Sequence, residues 1–192
     1  MDVYDAIKGR RTIRRFSGAP VGIRLLTRLV DAARLAPSGG NCQPLEFIAV
    51  SKPELVAKLA SHVKWAAYIH PAGNPPDGRG PGAFIVTLVN RQIAPDGAPY
   101  DVAAAVMTMI LAARAEGLGS CWMGNIDRPA LAKVLNVPGD GWILDSVLAL
   151  GIPGESPVTE PLRDSVRYWK DDAGVLHVPK RLLEDILHEE TF

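Results

Sequence analysis

The chain has 192 residues, 47% of them hydrophobic, and its 21 basic side chains balance its 21 acidic ones. This length predicts one globular domain, residues 1–192, with a substantial core. The even charge argues against a general nucleic-acid or membrane-surface binder, which would carry a basic excess. Two cysteines are too few for a disulfide framework, the first residues lack a signal-peptide pattern, and no apolar run is long enough to span a bilayer. We therefore expect a cytoplasmic protein that binds neither nucleic acid nor membrane.

Hydrophobic spacing predicts three helices and one strand in the first third of the chain. These are a helix at 2–8 with Val3, Ala6 and Ile7 inward, a helix at 22–35 ended by Pro37, a strand at 45–50, and a helix from Pro53 to about Tyr68. The proline- and glycine-rich residues 70–82 follow, and a loop of this length is typically a lid or a binding segment.

The second half of the chain begins with a continuous apolar run at 83–89, which predicts a central strand. Residues 100–116 form the strongest predicted helix, apolar on nearly every face, so we expect it to be buried by the sheet on one side and by a second subunit on the other. A short helix at 128–135 and a strand at 143–150 follow.

Residues 151–192 have too few apolar residues for a core of their own. The segment 151–157 is extended, residues 166–169 and 175–178 are strand-like around a turn, and 180–188 has the spacing of a helix. Such a tail must dock, either on its own domain or on a partner.

A basic segment organises the chain. Lys8, Arg10, Arg11, Arg14 and Arg15 place five basic side chains in eight positions. One interpretation is a solvated basic turn. However, the segment also contains the hydroxyl of Thr12, and two apolar residues, at 13 and 16, suggest that one side is fixed to a core. Arginine suits bidentate capture of phosphate or of a carbonyl-bearing ring, so an anionic ligand is the other interpretation.

Two glycine-containing segments offer polar groups to a flat ligand. The loop at 36–44 presents Ser38 and Asn41 with backbone N–H groups at two glycines, although it can also be an ordinary helix-to-strand connection. Residues 117–124 can be a simple helix C-cap that leads into a strand. Their glycines and Trp122 are equally compatible with backbone that lies against a ring system.

Several other chemistries lack their motifs. No G-x-G-x-x-G sequence follows a first strand, no phosphate-binding P-loop or G-x-S-x-G elbow is present, and the four histidines lack metal-ligand spacing. The sequence thus has groups to hold a phosphate and a polar ring, but no evident acid, base, nucleophile or metal site. This combination indicates a bound cofactor that carries the reaction itself.

Five short motifs in register resemble the FMN-dependent nitroreductase family, and the match runs essentially end to end. They are RRTIRRF at 10–16, APSGGNCQP at 36–44, GLGSCWMG at 117–124, LGIP at 150–153 and VPKR at 178–181. The resemblance implies an α+β fold, a nitroreductase-like three-layer sandwich whose mixed, mostly antiparallel sheet is flanked by helices. It also implies a strand-exchanged homodimer in which residues 151–192 wrap the partner subunit.

The resemblance also implies roles for individual residues around non-covalently bound FMN. Arg10 and Arg11 would reach the phosphate and ribityl chain, Thr12 would bond nearby, and Arg14 would approach the pyrimidine edge of the ring. The loop residues Pro37, Ser38, Gly39 and Asn41 would cover the flavin of the other subunit. Residues Cys121, Trp122, Met123 and Gly124 would pack on the ring, with backbone near Met123 and Gly124 at N5. Lys180 and Arg181 would complete the phosphate cage, with Arg163 and Arg167 as rivals.

The implied activity is hydride transfer from NAD(P)H through flavin N5 to an electron-poor small molecule, such as a nitroaromatic, a quinone or an enone, with ping-pong kinetics. The alternative is a flavin-binding or flavin-handling protein that turns over no external acceptor. Thr12 stands where the family usually has serine, and Leu45 follows Pro44 where tryptophan is common. The physiological acceptor, the choice between NADH and NADPH, and the role of residues 70–82 stay open, with Trp65, Tyr68 and Trp122 as candidate stacking surfaces or core.

Overall fold

Five α-helices and a four-stranded sheet form the body of the chain in a computed structural model that describes residues 1–71 and 73–192. The helices are α1 (Val3–Gly9), α2 (Ile23–Ala33), α3 (Pro53–Ala60), α4 (Pro99–Ala115) and α5 (Arg128–Val134). The main sheet contains β1 (Leu45–Val50), β2 (Ala83–Asn90), β3 (Gly119–Met123) and β4 (Trp142–Gly151). None of the helices described in these residues is long and apolar enough to cross a bilayer.

Local sequence explains where several helices begin. The Asp2 carboxylate caps α1 by accepting a bond from the Asp5 amide at 2.9 Å, and the Asp127 carboxylate caps α5 in the same way through Ala130 at 3.1 Å. A proline occupies the first turn of α3, α4 and α5, where its missing N–H costs no helical hydrogen bond.

The four main strands pair antiparallel in the order β1-β2-β4-β3, so β2 is central, as its apolar run predicts. Its alternate side chains enter two different cores. Phe84 and Val86 pack in a cluster that contains Leu131 of α5, whereas Ile85 packs in a cluster that contains Leu29 of α2. Helices thus cover both faces of the sheet, which confirms the predicted α+β three-layer sandwich.

Two predicted features of the helices are wrong. Helix α3 ends at Ala60 instead of continuing to about Tyr68, because Val63 then forms a bridge with Ile126 and the Lys64 amide donates to the Asn125 carbonyl at 3.0 Å. In α1 only Ala6 is buried, whereas Val3 and Ile7 are exposed. In α4, Tyr100 and Met107 are 89% and 40% exposed in the single chain, and burial of this face by a second subunit stays a prediction.

The tail forms a small sheet on its own chain. It contains β5 (Val158–Pro161), which the sequence did not predict, β6 (Trp169–Lys170) and β7 (Leu176–Lys180), in the order β5-β7-β6. The pair β5·β7 is parallel and the pair β6·β7 is antiparallel. The helix predicted at 180–188 is wrong: strand pairing extends through Lys180, whose carbonyl accepts from Leu162 at 2.6 Å, and only a 3₁₀ turn at Leu183–Asp185 follows.

In this single chain, the tail docks on its own domain, which is one of the two predicted alternatives. The Tyr168 ring lies 5.0 Å from the Tyr68 ring and 4.9 Å from the Arg14 guanidinium, measured to ring centroids. The Arg11 guanidinium donates to the Thr159 hydroxyl at 3.2 Å. Exchange of a tail strand with a partner's sheet stays a prediction.

Candidate active site

The basic segment at 8–16 is fixed to the core on one side, as its apolar residues predict. Ile13 and Phe16 are buried, and their amides donate to the carbonyls of Ser120 and Arg79, each at 2.8 Å. Thr12 forms a parallel bridge with Ser120 of β3. The segment therefore runs along the edge of the main sheet, and its arginines are left to line cavities rather than extend freely into solvent.

Two glycines make this close approach possible. A Cβ at Gly119 would lie 2.8–3.0 Å from three side-chain atoms of Ile13, and one at Gly151 would lie 2.8 Å from Phe16 Cδ1. Real Cβ atoms essentially never come this close to other atoms, so any larger residue would displace the basic segment. The LGIP and GLGS motifs thus have a steric role in placing the arginines.

Three arginines converge on the first cavity, which we call the Arg114 cavity. Arg10 and Arg11 line it together with Arg114 of α4, and its volume is about 170 Å³. Burial, followed by the neighbouring charges of Arg10 and Arg114, lowers the pKa of Arg11. Of the residues that the structure describes, Glu155 alone brings a carboxylate to the cavity lining, and its Oε1 accepts bonds from the backbone amides at 14 and 15, at 2.6 and 3.1 Å.

Several guanidinium nitrogens of this region are buried without a partner. Among the described residues, no hydrogen bond is made by the buried Nε of Arg10, Arg11, Arg14, Arg15 or Arg114. Buried donors normally find acceptors, and a bound anion supplies them. Three of these nitrogens belong to Arg10, Arg11 and Arg114, which line the Arg114 cavity, so this cavity has both the excess positive charge and the unsatisfied guanidinium groups that suit a phosphate.

A larger cavity, the Arg14 cavity, lies beside the same sheet edge and has a volume of about 530 Å³. It brings together five of the predicted site residues: Arg14, Cys121, Trp122, Met123 and Gly124. The basic segment and the end of β3 thus form one site in a single chain.

The turn after β3 is held rigidly. The Arg128 side chain donates to the carbonyls of Gly124, Leu144 and Asp145, at 3.2, 2.9 and 2.8 Å. Trp122 is 41% exposed, and its Nε1 donates to the Ser146 hydroxyl at 2.8 Å. The backbone at 123–124 is therefore positioned by β4, which suits a fixed contact with a ligand.

Cys121 contributes no nucleophile to this cavity. Burial raises the pKa of its thiol to about 11, although the neighbouring Arg14 acts in the opposite direction. The thiol is therefore protonated at neutral pH. This result agrees with a site that holds a reactive group rather than one that supplies it.

The predicted loop residues lie elsewhere. Pro37 and Ser38 line a separate cavity of about 180 Å³, and the Gly39 amide donates to Oδ1 of Asp101, in the first turn of α4, at 3.0 Å. Arg114 is in the last turn of the same helix. Thirteen residues at 1.5 Å each separate the two ends by roughly 20 Å, so one chain does not bring this loop to the arginines. Asn41 follows in the same loop, with a positive φ of 57°.

The predicted tail residues Lys180 and Arg181 line neither the Arg114 cavity nor the Arg14 cavity. Lys180 pairs with Pro161 at the end of β7, and the Arg181 guanidinium bonds to the Asp185 carbonyl. Their rivals, Arg163 and Arg167, line a fourth cavity of about 460 Å³ in the tail sheet.

Sequence reasoning missed several residues that line the Arg14 cavity: Lys64, His70, Asn74 and Asn125. The proline- and glycine-rich composition marked residues 70–82 as a binding segment, but no periodic pattern distinguished any position within it or at 64. Lys64 reaches the cavity through its pairing with Asn125, a contact 61 positions away in sequence that no local pattern reveals.

Comparison with known proteins agrees with this architecture. The nitroreductase family profile matches residues 7–152. A Methanothermobacter thermautotrophicus protein, provisionally named NADH dehydrogenase/NAD(P)H nitroreductase, is 32% identical over 172 residues, which cover 87% of this chain and 85% of that protein. The 5,6-dimethylbenzimidazole synthase of Rhodospirillum rubrum is 28% identical, and the match covers 83% of this chain and 86% of that protein.

Among solved structures, a provisionally assigned nitroreductase from Desulfovibrio desulfuricans, crystallised in complex with FMN, has a TM-score of 0.71 at 26% identity. The similarity covers 100% of this chain and 98% of that one. A nitroreductase family protein from Clostridium novyi has a TM-score of 0.68, also at 26% identity, and the match covers 80% and 87% of the two chains. On its fold, its sequence profile and these relatives, the chain belongs to the nitroreductase family.

Proposed function

We propose that this protein is an FMN-dependent NAD(P)H oxidoreductase. The observation that carries the proposal is the buried, unpartnered Nε of Arg10, Arg11 and Arg114, which line the Arg114 cavity, together with that of Arg14, which lines the larger Arg14 cavity. Arg10, Arg11 and Thr12 would hold the phosphate end of the cofactor. When bound, FMN supplies hydride transfer at N5, from NAD(P)H to an electron-poor acceptor such as a nitroaromatic, a quinone or an enone, in a ping-pong sequence.

Arg14 would supply positive charge at the pyrimidine edge of the flavin. Its guanidinium lies against Tyr168, and its backbone amide donates to Glu155 at 2.6 Å. Since that carboxylate oxygen is engaged by backbone amides, it leaves the positive charge of the side chain available to a ligand. A fixed cation at this position would stabilise the reduced, anionic form of the flavin relative to the oxidised form.

The end of β3 would form the surface beneath the flavin ring. Met123 and Gly124 would present backbone toward N5, while Cys121 and Trp122 pack alongside. Arg128 holds this turn through three carbonyl groups, so the backbone does not need to reorganise when a ligand binds.

A homodimer would complete the site. Tyr100, Ala103 and Met107 are exposed on α4 at helical spacing, and such an apolar stripe is typical of an interface. If two copies of α4 packed antiparallel across a two-fold axis, the loop at the Asp101 end of one would meet the arginines at the Arg114 end of the other. Pro37, Ser38, Gly39 and Asn41 would then cover the partner's flavin.

The tail would supply the remaining phosphate contacts. Lys180 and Arg181 are the proposed residues, with Arg163 and Arg167 as the alternatives. In the dimer, residues 151–192 would wrap the partner subunit. The partner would thereby cover the apolar residues of this segment, which are too few to form a core of their own.

The test is anaerobic reduction of the flavin-loaded protein. Purified protein reconstituted with FMN should lose its yellow absorption within a catalytic timescale when NADH or NADPH is added, and regain it when an acceptor follows. Protein that is colourless and fails to take up FMN would refute the proposal. Sedimentation of the loaded protein at the mass of two chains supports the dimer, and a monomer with full FMN affinity contradicts it.

A second candidate is a protein that stores, senses or consumes FMN without turnover of an external acceptor. Its support is the similarity to the 5,6-dimethylbenzimidazole synthase of Rhodospirillum rubrum. In this case the flavin would be reduced by NAD(P)H, but a panel of nitroaromatics, quinones and enones would not accelerate its reoxidation.

A further inference from the structure

The Arg14 cavity carries positive charge and is lined by no carboxylate in the part of the chain that the structure describes. Arg14 and Lys64 are cations and His70 is ionisable, whereas the polar groups contributed by Asn74 and Asn125 are neutral amides. The protein as a whole has no net charge, so this local excess does not follow from composition. A cavity with one sign of charge raises the local concentration of the opposite sign.

Lys64 is fixed beside the turn at which the chemistry is proposed. Its amide donates to the Asn125 carbonyl at 3.0 Å, and the neighbouring Val63 forms a bridge with Ile126. The Lys64 side chain is exposed, and no carboxylate among the described residues lies within ion-pair distance of it. Its backbone is therefore ordered while its ammonium group is available to a ligand.

Arg14 is less available for the same purpose. Its guanidinium packs on Tyr168 at 4.9 Å and lies beside the Cys121 thiol, where the proposed flavin ring would also engage it. Trp122, 41% exposed in the same cavity, offers an aromatic face for stacking. Among the described residues, the cavity thus combines the aromatic face of Trp122 with one cation, Lys64, that is engaged by no carboxylate.

We propose that the acceptor is an electron-poor aromatic compound that carries an acidic group, and that Lys64 pairs with that group. The proposal rests on the flavin function above and specifies its substrate class. For a nitro compound, NAD(P)H gives a hydride and solvent a proton, one N–O bond breaks, and the products are the nitroso compound, water and NAD(P)⁺. Lys64 takes no part in this step; it holds the acid group of the acceptor.

The experiment follows reoxidation of anaerobically pre-reduced holoenzyme by stopped flow, which removes binding of the nicotinamide from the measurement. The acceptors are 4-nitrobenzoate and its uncharged analogue 4-nitrobenzamide, and the proteins are wild type, Lys64→Gln and Lys58→Gln. Lys58 is an exposed lysine of α3 that does not line the cavity. Comparing the ratio of the two rates among variants cancels the intrinsic reactivity of each acceptor.

We expect Lys64→Gln to lower the acid-to-amide rate ratio on the order of tenfold, the effect of one charge-assisted hydrogen bond, without slowing the amide. Lys58→Gln should keep the wild-type ratio. Binding gives an independent readout: the dissociation constant of unreactive benzoate, measured from the spectrum of the oxidised flavin, should rise by a similar factor in Lys64→Gln alone.

Three results would overturn the proposal. An unchanged rate ratio in Lys64→Gln would refute acid-group recognition while the flavin function stands. A shift in the flavin reduction potential, with equal loss of both acceptors, would place Lys64 at the cofactor instead. Failure of NAD(P)H to reduce the bound flavin in wild type would refute the function and this substrate class together.

Discussion

Replacing Arg11 with alanine should weaken binding of FMN far more than binding of riboflavin, which has the same ring but no phosphate. The Arg11 guanidinium lines the Arg114 cavity, and its Nε is buried without a partner. A hydrogen bond to a charged group contributes about 1.5–3 kcal/mol. Loss of one such contact corresponds to a rise of about ten- to hundredfold in the dissociation constant of FMN.

The fold should tolerate this change. Within the protein, the Arg11 side chain bonds to the carbonyls of Lys8 and Arg10 and to the Thr159 hydroxyl, and these acceptors are on exposed or partly buried segments. Burial and the neighbouring Arg10 and Arg114 charges lower the pKa of Arg11, so the empty protein destabilises its positive charge, although the side chain stays protonated at neutral pH. We therefore expect the thermal midpoint of the apoprotein to change little.

Titration of apoprotein with each flavin, followed by quenching of flavin fluorescence, measures both constants. Arg24→Ala is the matched control, because Arg24 is exposed on α2 and does not line the Arg114 cavity. In wild type, FMN affinity should also fall more steeply with ionic strength than in Arg11→Ala. Equal weakening of FMN and riboflavin by Arg11→Ala would refute the phosphate assignment, and unchanged affinity for both would remove Arg11 from the site.

Three further results are expected. Phe16→Ala should destabilise the protein by about 3–5 kcal/mol in urea unfolding, because a fully buried aromatic ring is lost; a loss as small as that of an exposed phenylalanine would contradict the fixed segment. The His177 imidazole donates to two carboxylates, Asp171 foremost, which raises its pKa, so the stability that the protonated ring gives the tail sheet is present at low pH and is lost as pH rises through that raised pKa. The pKa values of the two carboxylates, Glu160 and Asp171, are lowered. Protection of tail amides from hydrogen exchange should therefore be greatest between these lowered pKa values and the raised pKa of His177. In His177→Gln, the loss of protection at the high-pH side should disappear. A thiol reagent at neutral pH should modify exposed Cys42 quickly and buried Cys121, whose pKa is raised to about 11, slowly; rapid modification of Cys42→Ser would contradict this.

Local patterns predicted the parts of the site that local physics determines. The apolar residues Ile13 and Phe16 predicted a basic segment fixed to the core, and the apolar run from 83 predicted a central strand, because burial of side chains decides both. The resemblance to a family brought Arg14 together with residues 121–124, which the structure places in one cavity.

Long-range pairing decided what the sequence could not show. Helix α3 stops at Ala60 because residues 63–64 pair with 125–126, and the strand at 158–161 exists only through its partner at 177–180. Helical spacing at 180–188 was outweighed by that same pairing. The same contact explains why the sequence did not reveal Lys64 as a cavity residue. The pairing of residues 63–64 with 125–126 both ends α3 and places Lys64 at the cavity, and no local stretch of sequence contains it.

The length of α4 gives the proposed dimer a property that no single chain has. Its two ends, marked by Asp101 and Arg114, lie roughly 20 Å apart, so each flavin site would combine the basic segment of one subunit with the loop of the other. In a mixed dimer of an arginine variant and a loop variant, both lesions would fall on one site and leave the second intact. Two inactive proteins would therefore restore activity to each other when their subunits exchange.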